Sequence, residues 1–126
     1  MNIKNTFKKI ILMNIVLSFS VFILVFFESD EVISFNESLD IVPTSLLIIG
    51  LIWIIFYFVS LYFLYTFKKN GKKLFSILFV LGIALNLPLG PPAVDSLMYT
   101  IDALSWCTQS AILVFLYFTP IKKQFN

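Results

Sequence analysis

All charged residues except Asp102 lie in a few short segments that separate long apolar runs. All nine basic residues are lysines, and they lie before residue 10, between residues 68 and 73, and at 122 and 123. The runs at 10–27 and 45–66 hold no charged residue, and each has about the 20 residues that a helix needs to cross the hydrocarbon core of a bilayer. A soluble chain of 126 residues has too little interior to bury such runs.

Composition supports a lipid environment for most of the chain. Hydrophobic residues make up 60% of the sequence and charged residues 13%, whereas soluble domains are roughly 45–50% apolar. The mean hydropathy is +0.97. We therefore predict an all-α fold, an integral membrane four-helix bundle that occupies residues 1–126 as a single domain.

The predicted spans cover approximately residues 10–27, 45–66, 74–90 and 97–119. The first follows a basic segment, as in a signal peptide, but it exceeds the apolar length of roughly 7–15 residues in such peptides and lacks a small-residue cleavage site. We expect it to be retained as a span. The third run is interrupted at Pro88, where regular helix should fail, and this leaves a short apolar stretch for a full crossing.

The first connection, residues 28–44, is acidic and contains no lysine. Its apolar residues recur at helical spacing. This spacing fits a short amphipathic helix on the membrane surface, and a solvated acidic loop is the alternative. The residues that make this pattern are Val32, Phe35, Leu39 and Val42.

The lysine groups predict the topology. With four crossings, the two ends of the chain and the basic turn at 67–73 share one side, which the positive-inside rule assigns to the cytoplasm. We expect a multi-pass protein of the cell's inner (plasma) membrane with both termini inside, and lysines that meet anionic lipid headgroups rather than nucleic acid. Asn70-Gly71 is expected to adopt the left-handed conformation that ends a helix and turns the chain.

Polar residues follow one face of the fourth span. At roughly 1.5 Å per residue, one polar position in each span reaches a common depth of about 12–18 Å from the inner boundary, namely Ser18, Tyr57, Asn86 and Gln109. Asp102 lies higher, toward the outer mouth. Unsatisfied polar groups are costly in lipid, so we expect these side chains to meet. They would either bond the helices to one another or line a path for a solute. The candidate cluster comprises Ser18, Tyr57, Asn86, Asp102, Ser105 and Gln109.

The opposite face of the fourth span carries small residues, which allow close helix approach. A helix with one polar and one small face is poorly suited to lipid, so we expect this span at the centre of the bundle. The favoured function is a non-enzymatic packing or accessory protein that associates laterally through this face, with copies of itself or with a larger membrane partner. The alternative is a small oligomeric channel or transporter for a cation or small solute, which would use Asp102, Ser105 and Gln109. The predicted packing face comprises Thr100, Ala103, Cys107 and Ala111.

Enzymatic chemistry is not expected. The chain has no histidine, no arginine and a single cysteine, and it lacks a glycine-rich phosphate loop. The usual metal, phosphoryl-transfer and acid–base constellations are therefore missing from the sequence. We predict no catalytic residue, no metal site and no cofactor, and no residue motif identifies a family.

Overall fold

The computed structural model describes residues 2–38, 44–86 and 93–125. It contains no strand within these ranges, and the predicted all-helical class is confirmed. Two short 3-10 helices, Val25–Phe27 and Pro120–Phe125, follow the first and last α-helices. The α-helices are α1 (Ile3–Leu24), α2 (Asp30–Ser38), α3 (Thr44–Tyr65), α4 (Lys69–Asn86) and α5 (Ser96–Phe118).

Three helical segments are long and apolar enough to cross a membrane: Ile3–Phe27, Ile48–Tyr65 and Ser96–Phe118. They correspond to the first, second and fourth predicted spans. The third predicted span lies on α4, whose first turns carry Lys69, Lys72 and Lys73. Residues 87–90, which would complete that span, lie outside the described residues, so the fourth crossing stays a prediction.

The four long helices pack as two antiparallel pairs, α1 with α5 and α3 with α4. Aromatic rings join the pairs at one end. The ring of Phe7 lies 6.1 Å from Phe67 and 6.1 Å from Phe125. This contact brings both terminal segments and the α3–α4 turn together, so all three lysine groups lie at this end, which we call the basic end. The opposite end, with residues 28–31 and 95, is the acidic end.

The buried apolar core fills the half of the molecule nearer the basic end, while large apolar side chains cover the outside. Phe26 is 74% exposed and Phe118 is 83% exposed. Such a surface suits lipid, which solvates apolar side chains as well as a protein interior does. The core residues are Phe7, Ile11, Tyr57, Leu61, Leu64, Phe75, Ile112, Leu116, Ile121 and Phe125.

The α3–α4 turn differs from the prediction. Asn70 and Gly71 lie inside the first turn of α4, and the left-handed residue is Phe67, at φ 54°. The Lys68 N–H donates to the Phe63 carbonyl across 2.8 Å, the pattern that commonly ends a helix. Gly71 is needed for close approach instead, because a Cβ there would lie 2.9 Å from the Phe63 carbonyl carbon.

The first connection forms a helix over part of its length. Val32 and Phe35 lie on α2, as the amphipathic interpretation expects, whereas Leu39 and Val42 lie outside the described residues. Phe35 is 53% exposed. The acidic first turn, with Asp30 and Glu31, favours the helix because carboxylates stabilise its positive N-terminal end.

Hydrogen bonds tie this connection to the segment before α5. The Asn36 Nδ2 donates to the Ala93 carbonyl across 2.9 Å, and the Ala93 N–H donates back to Asn36 Oδ1 across 3.0 Å. The backbone N–H and hydroxyl of Ser29 both donate to the Asp95 carboxylate, at 2.9 and 3.1 Å. These bonds join the two connections at the acidic end.

Candidate solute-binding cavity

Asn14 is the centre of a buried hydrogen-bond network that joins three helices. It is fully buried on α1. Its Oδ1 accepts a bond from the Tyr57 hydroxyl of α3 at 2.5 Å. Its Nδ2 donates to Thr108 Oγ1 at 2.7 Å and to the Ser105 carbonyl at 3.2 Å, both on α5. The amide therefore uses both its oxygen and its nitrogen between helices.

A second group of bonds extends from this network toward the acidic end. The hydroxyls of Ser18 and Ser105 are 3.0 Å apart, and Gln109 Nε2 donates to Ser105 Oγ at 3.3 Å. The other amide atom, Gln109 Oε1, is buried and has no hydrogen-bond partner within the described ranges. A buried acceptor without a donor costs roughly 1–3 kcal/mol, so this position is less well satisfied than Asn14.

The polar groups surround a cavity of about 280 Å³. It lies between α1, α3 and α5, with the last residue of α4 at its edge. Five aromatic side chains form much of the wall: Phe22, Trp53, Tyr57, Phe58 and Trp106. The structure brings all six residues of the predicted polar cluster to this one cavity: Ser18, Tyr57, Asn86, Asp102, Ser105 and Gln109.

The cavity occupies the half of the molecule nearer the acidic end. On α1 and the 3-10 helix that follows it, the lining runs from Ser18 to Val25, and on α5 it runs from Asp102 to Gln109. Toward the basic end, Asn14 and Thr108 are buried, and the apolar core follows. The described lining of the cavity therefore ends at the level of the Asn14 network.

Trp53 forms a fixed part of the cavity wall. Its ring stacks on Tyr57, with centroids 5.1 Å apart and planes 13° apart. Its Nε1 donates to the Leu78 carbonyl of α4 at 2.9 Å. Gly82 makes room for the indole, since a Cβ there would lie 2.8 Å from Trp53 Cζ2.

The predicted residues take different roles around the cavity. Asn86 donates to the Gly82 carbonyl of its own helix at 2.8 Å, and Asp102 is an exposed residue on the lining. Sequence reasoning left Asn14 and Thr108 out of the cluster. Their positions carried a signal, because Asn14 precedes Ser18 by four residues and Thr108 follows Ser105 by three, so each shares a helix face with a predicted member.

The predicted packing face of α5 lies on the outside of the molecule. Thr100, Ala103 and Cys107 are exposed, and Ala111 is half-buried. The face that packs against α1 is the one that holds Ser105 and Thr108. The expectation that α5 lies at the centre of the bundle is wrong for the single chain, because only one side of the helix is covered. The buried residues on that side are Ser105, Thr108, Gln109, Ile112 and Leu116.

The described residues contain no group of three or more histidine, cysteine, aspartate or glutamate side chains that could hold a metal ion. Comparisons with protein-family models, with curated proteins and with solved structures found no match to this chain.

Proposed function

We propose that the chain is a multi-pass protein of the plasma membrane, with four crossings and both termini in the cytoplasm. The location of every lysine at the basic end supports this orientation. The Nζ atom of Lys8 lies 4.6 Å from the centroid of the Tyr65 ring, and the Nζ atom of Lys72 lies 4.1 Å from the centroid of the Tyr117 ring. Aromatic rings are enriched at membrane interfaces, and lysines there keep their charge in water near anionic headgroups.

In this topology, α4 has the shortest apolar helix for a full crossing of the bilayer. Residues 74–86 provide roughly 20 Å of apolar helix, against about 30 Å of hydrocarbon. A four-span arrangement therefore requires local thinning of the bilayer or a contribution from residues 87–90.

Impermeant thiol labelling of intact cells tests the orientation. In a Cys107→Ser background, Asp30→Cys should react from outside, and Asn2→Cys only after the membrane is permeabilised. Labelling of Asn2→Cys in intact cells would overturn the proposed topology.

Within this topology, the proposed function is non-enzymatic binding of a small solute in the cavity, entered from the acidic end. One observation carries the proposal: polar side chains from all four long helices line a single recess of about 280 Å³. Small-molecule sites are typically concave and mostly apolar, with a few converging polar groups, and begin near this size at about 300 Å³. The same recess would serve a receptor or one state of a transporter.

Water access to the recess is the test of this function. In the Cys107→Ser background, Asp102→Cys and Ser18→Cys should react with a small hydrophilic thiol reagent. Leu104→Cys is the matched control, because Leu104 lies two residues from Asp102, is 50% exposed and is absent from the lining. The cavity variants should react faster by roughly tenfold or more, since only the thiolate is reactive and lipid suppresses its formation. Equal rates would contradict the proposal.

A second candidate function is lateral association through α5, with another copy or a larger membrane protein. The exposure of Thr100, Ala103 and Cys107 favours it, because small residues on a helix surface allow close approach in lipid. Oxidation of native membranes should then cross-link two copies through Cys107. Ala103→Leu should reduce the cross-link, whereas Val16→Leu, on the exposed surface of α1, should not.

The mass of the complex extracted in mild detergent distinguishes the two kinds of partner. A homodimer is expected if copies associate, and co-purification of another membrane protein in a fixed ratio indicates an accessory subunit. A monomer that forms no Cys107 cross-link would rule out the lateral function and leave the cavity function intact.

A further inference from the structure

The cavity combines one carboxylate with a wall of aromatic rings. We propose that its solute is a small organic monocation, such as a quaternary ammonium compound, an inference that rests on the solute-binding function proposed above. The two features needed for this chemistry are Asp102 on α5 and the rings contributed by α1, α3 and α5.

The charge of the lining favours a cation. Among the described residues that line the cavity, Asp102 is the only charged one, and none is a lysine. Lysines at the basic end lie above other rings. For example, Lys68 Nζ lies 4.8 Å from the centroid of the Phe63 ring. A solute with a single positive charge would compensate the carboxylate, whereas an anion would face it without any compensating cation.

The aromatic wall favours an organic cation over a hydrated one. Faces of tryptophan and tyrosine attract cations within about 6 Å, and the attraction increases when water is excluded. Trp53 and Tyr57 stack as one unit, and Trp106 meets Phe79 edge to face at a centroid distance of 5.7 Å. These rings contribute apolar surface that methyl groups on nitrogen can contact.

Neutral hydrogen-bonding solutes and bare metal ions fit less well. Several polar atoms of the lining already have protein partners, since the Tyr57 hydroxyl donates to Asn14 and Gln109 Nε2 donates to Ser105. Gln109 Oε1 has no partner in the described ranges, and as an acceptor its partial negative charge also suits a cation. A dehydrated metal ion needs a close cage of about six to eight oxygen ligands. A recess of about 280 Å³ has room for an ion the size of choline.

The test compares choline with 3,3-dimethylbutan-1-ol, which replaces the charged nitrogen by carbon and keeps the shape. Both are titrated against the full chain in dodecyl maltoside, a detergent without a charged headgroup. The chain has two tryptophans, and both line the cavity, so their fluorescence reports occupancy directly. We expect a saturable change with choline and binding of the neutral alcohol that is at least about tenfold weaker, because the alcohol lacks the charge interaction.

Asp102→Asn should weaken choline binding by about tenfold and leave binding of the alcohol unchanged. Asp30→Asn is the matched control, because Asp30 is an exposed carboxylate at the same end and does not line the cavity. It should have no effect on either titration. An equal loss of choline binding in both variants would overturn the assignment, since it would indicate long-range attraction by net charge.

The outcomes test the chemical class of the solute separately from the solute-binding function. If the alcohol binds as well as choline, the cation assignment is wrong, while the solute-binding cavity stands. If choline produces no saturable change but thiol labelling shows a wet cavity, the cation assignment again fails alone. If Asp102→Cys and Leu104→Cys react at equal rates, both proposals fail.

Discussion

Replacement of Asn14 by leucine should destabilise the protein measurably, because it removes the centre of the interhelical network. Leucine has nearly the same shape as asparagine, so the change tests hydrogen bonding more than packing. Asn14 makes three bonds to other helices, and interhelical bonds in membrane proteins contribute about 0.6 kcal/mol on average. Their loss amounts to about 2 kcal/mol, and the buried Tyr57 hydroxyl, left without its acceptor, adds about 1 kcal/mol.

A double-mutant cycle separates the orphaned hydroxyl from the lost bonds. Tyr57→Phe alone should cost about 1 kcal/mol, since it removes one bond and leaves Asn14 Oδ1 without a donor. The Asn14→Leu/Tyr57→Phe protein should lose about 2 kcal/mol less than the sum of the two single changes, because neither orphaned group remains and the bond that the two residues share is lost only once.

The assay is reversible unfolding in mixed micelles of increasing SDS fraction, followed by tryptophan fluorescence. Ser20→Ala serves as the control, because this exposed hydroxyl bonds only to the Val16 carbonyl of its own helix. The control should remain within about 0.5 kcal/mol of the original chain. If Asn14→Leu also falls within that range, the network does not stabilise the fold.

Three further tests address other parts of the fold, the first two by the same unfolding assay and the third by hydrogen exchange. Gly82→Ala should lower the free energy of unfolding by about 1–3 kcal/mol, because its Cβ would lie 2.8 Å from the Trp53 ring. Gly50→Ala is the control: its Cβ would have no neighbour within 4 Å, so the change should be neutral or stabilising. Phe7→Ala should lower the free energy of unfolding by about 3 kcal/mol or more, because Phe7 is fully buried among three other rings. A loss below about 1 kcal/mol would contradict its role in the core. Asn36→Ala should remove both bonds to the segment before α5 and speed hydrogen exchange within α2, and unchanged exchange would refute that contact.

Several properties of the fold were predictable because they follow from local chemistry. The long apolar runs predict helices. The observed helices α3 (Thr44–Tyr65) and α5 (Ser96–Phe118) differ from the predicted spans by one residue at each end. The α3–α4 turn was predicted less well. Glycine is the usual left-handed residue, yet Phe67 takes that position, where its ring packs against Phe7 and Phe125.

The polar cluster was only partly predictable. Depth along a helix is set by the rise per residue, and this placed Ser18, Tyr57 and Gln109 at a common level from the sequence. No such rule fixes the rotation of each helix about its axis, which decides which side chains face the neighbouring helices. Asn14 thus became the centre of the network only when α1, α3 and α5 packed together, and the small face of α5 turned outward for the same reason.

Hydropathy and charge act on each segment separately, so the sequence was enough to predict the helical segments, the lengths of α3 and α5 and the gathering of the lysines at one end. It did not predict where α1 and α4 begin, since α1 starts at Ile3 and α4 at Lys69, before the predicted spans. The pairing of α1 with α5 and of α3 with α4, and the recess that remains between the pairs, came only from the packing of the helices. That outcome depends on side-chain shape at the contacts, such as the room that Gly82 leaves for Trp53. Such complementarity is a property of two surfaces together and cannot be read from either one alone.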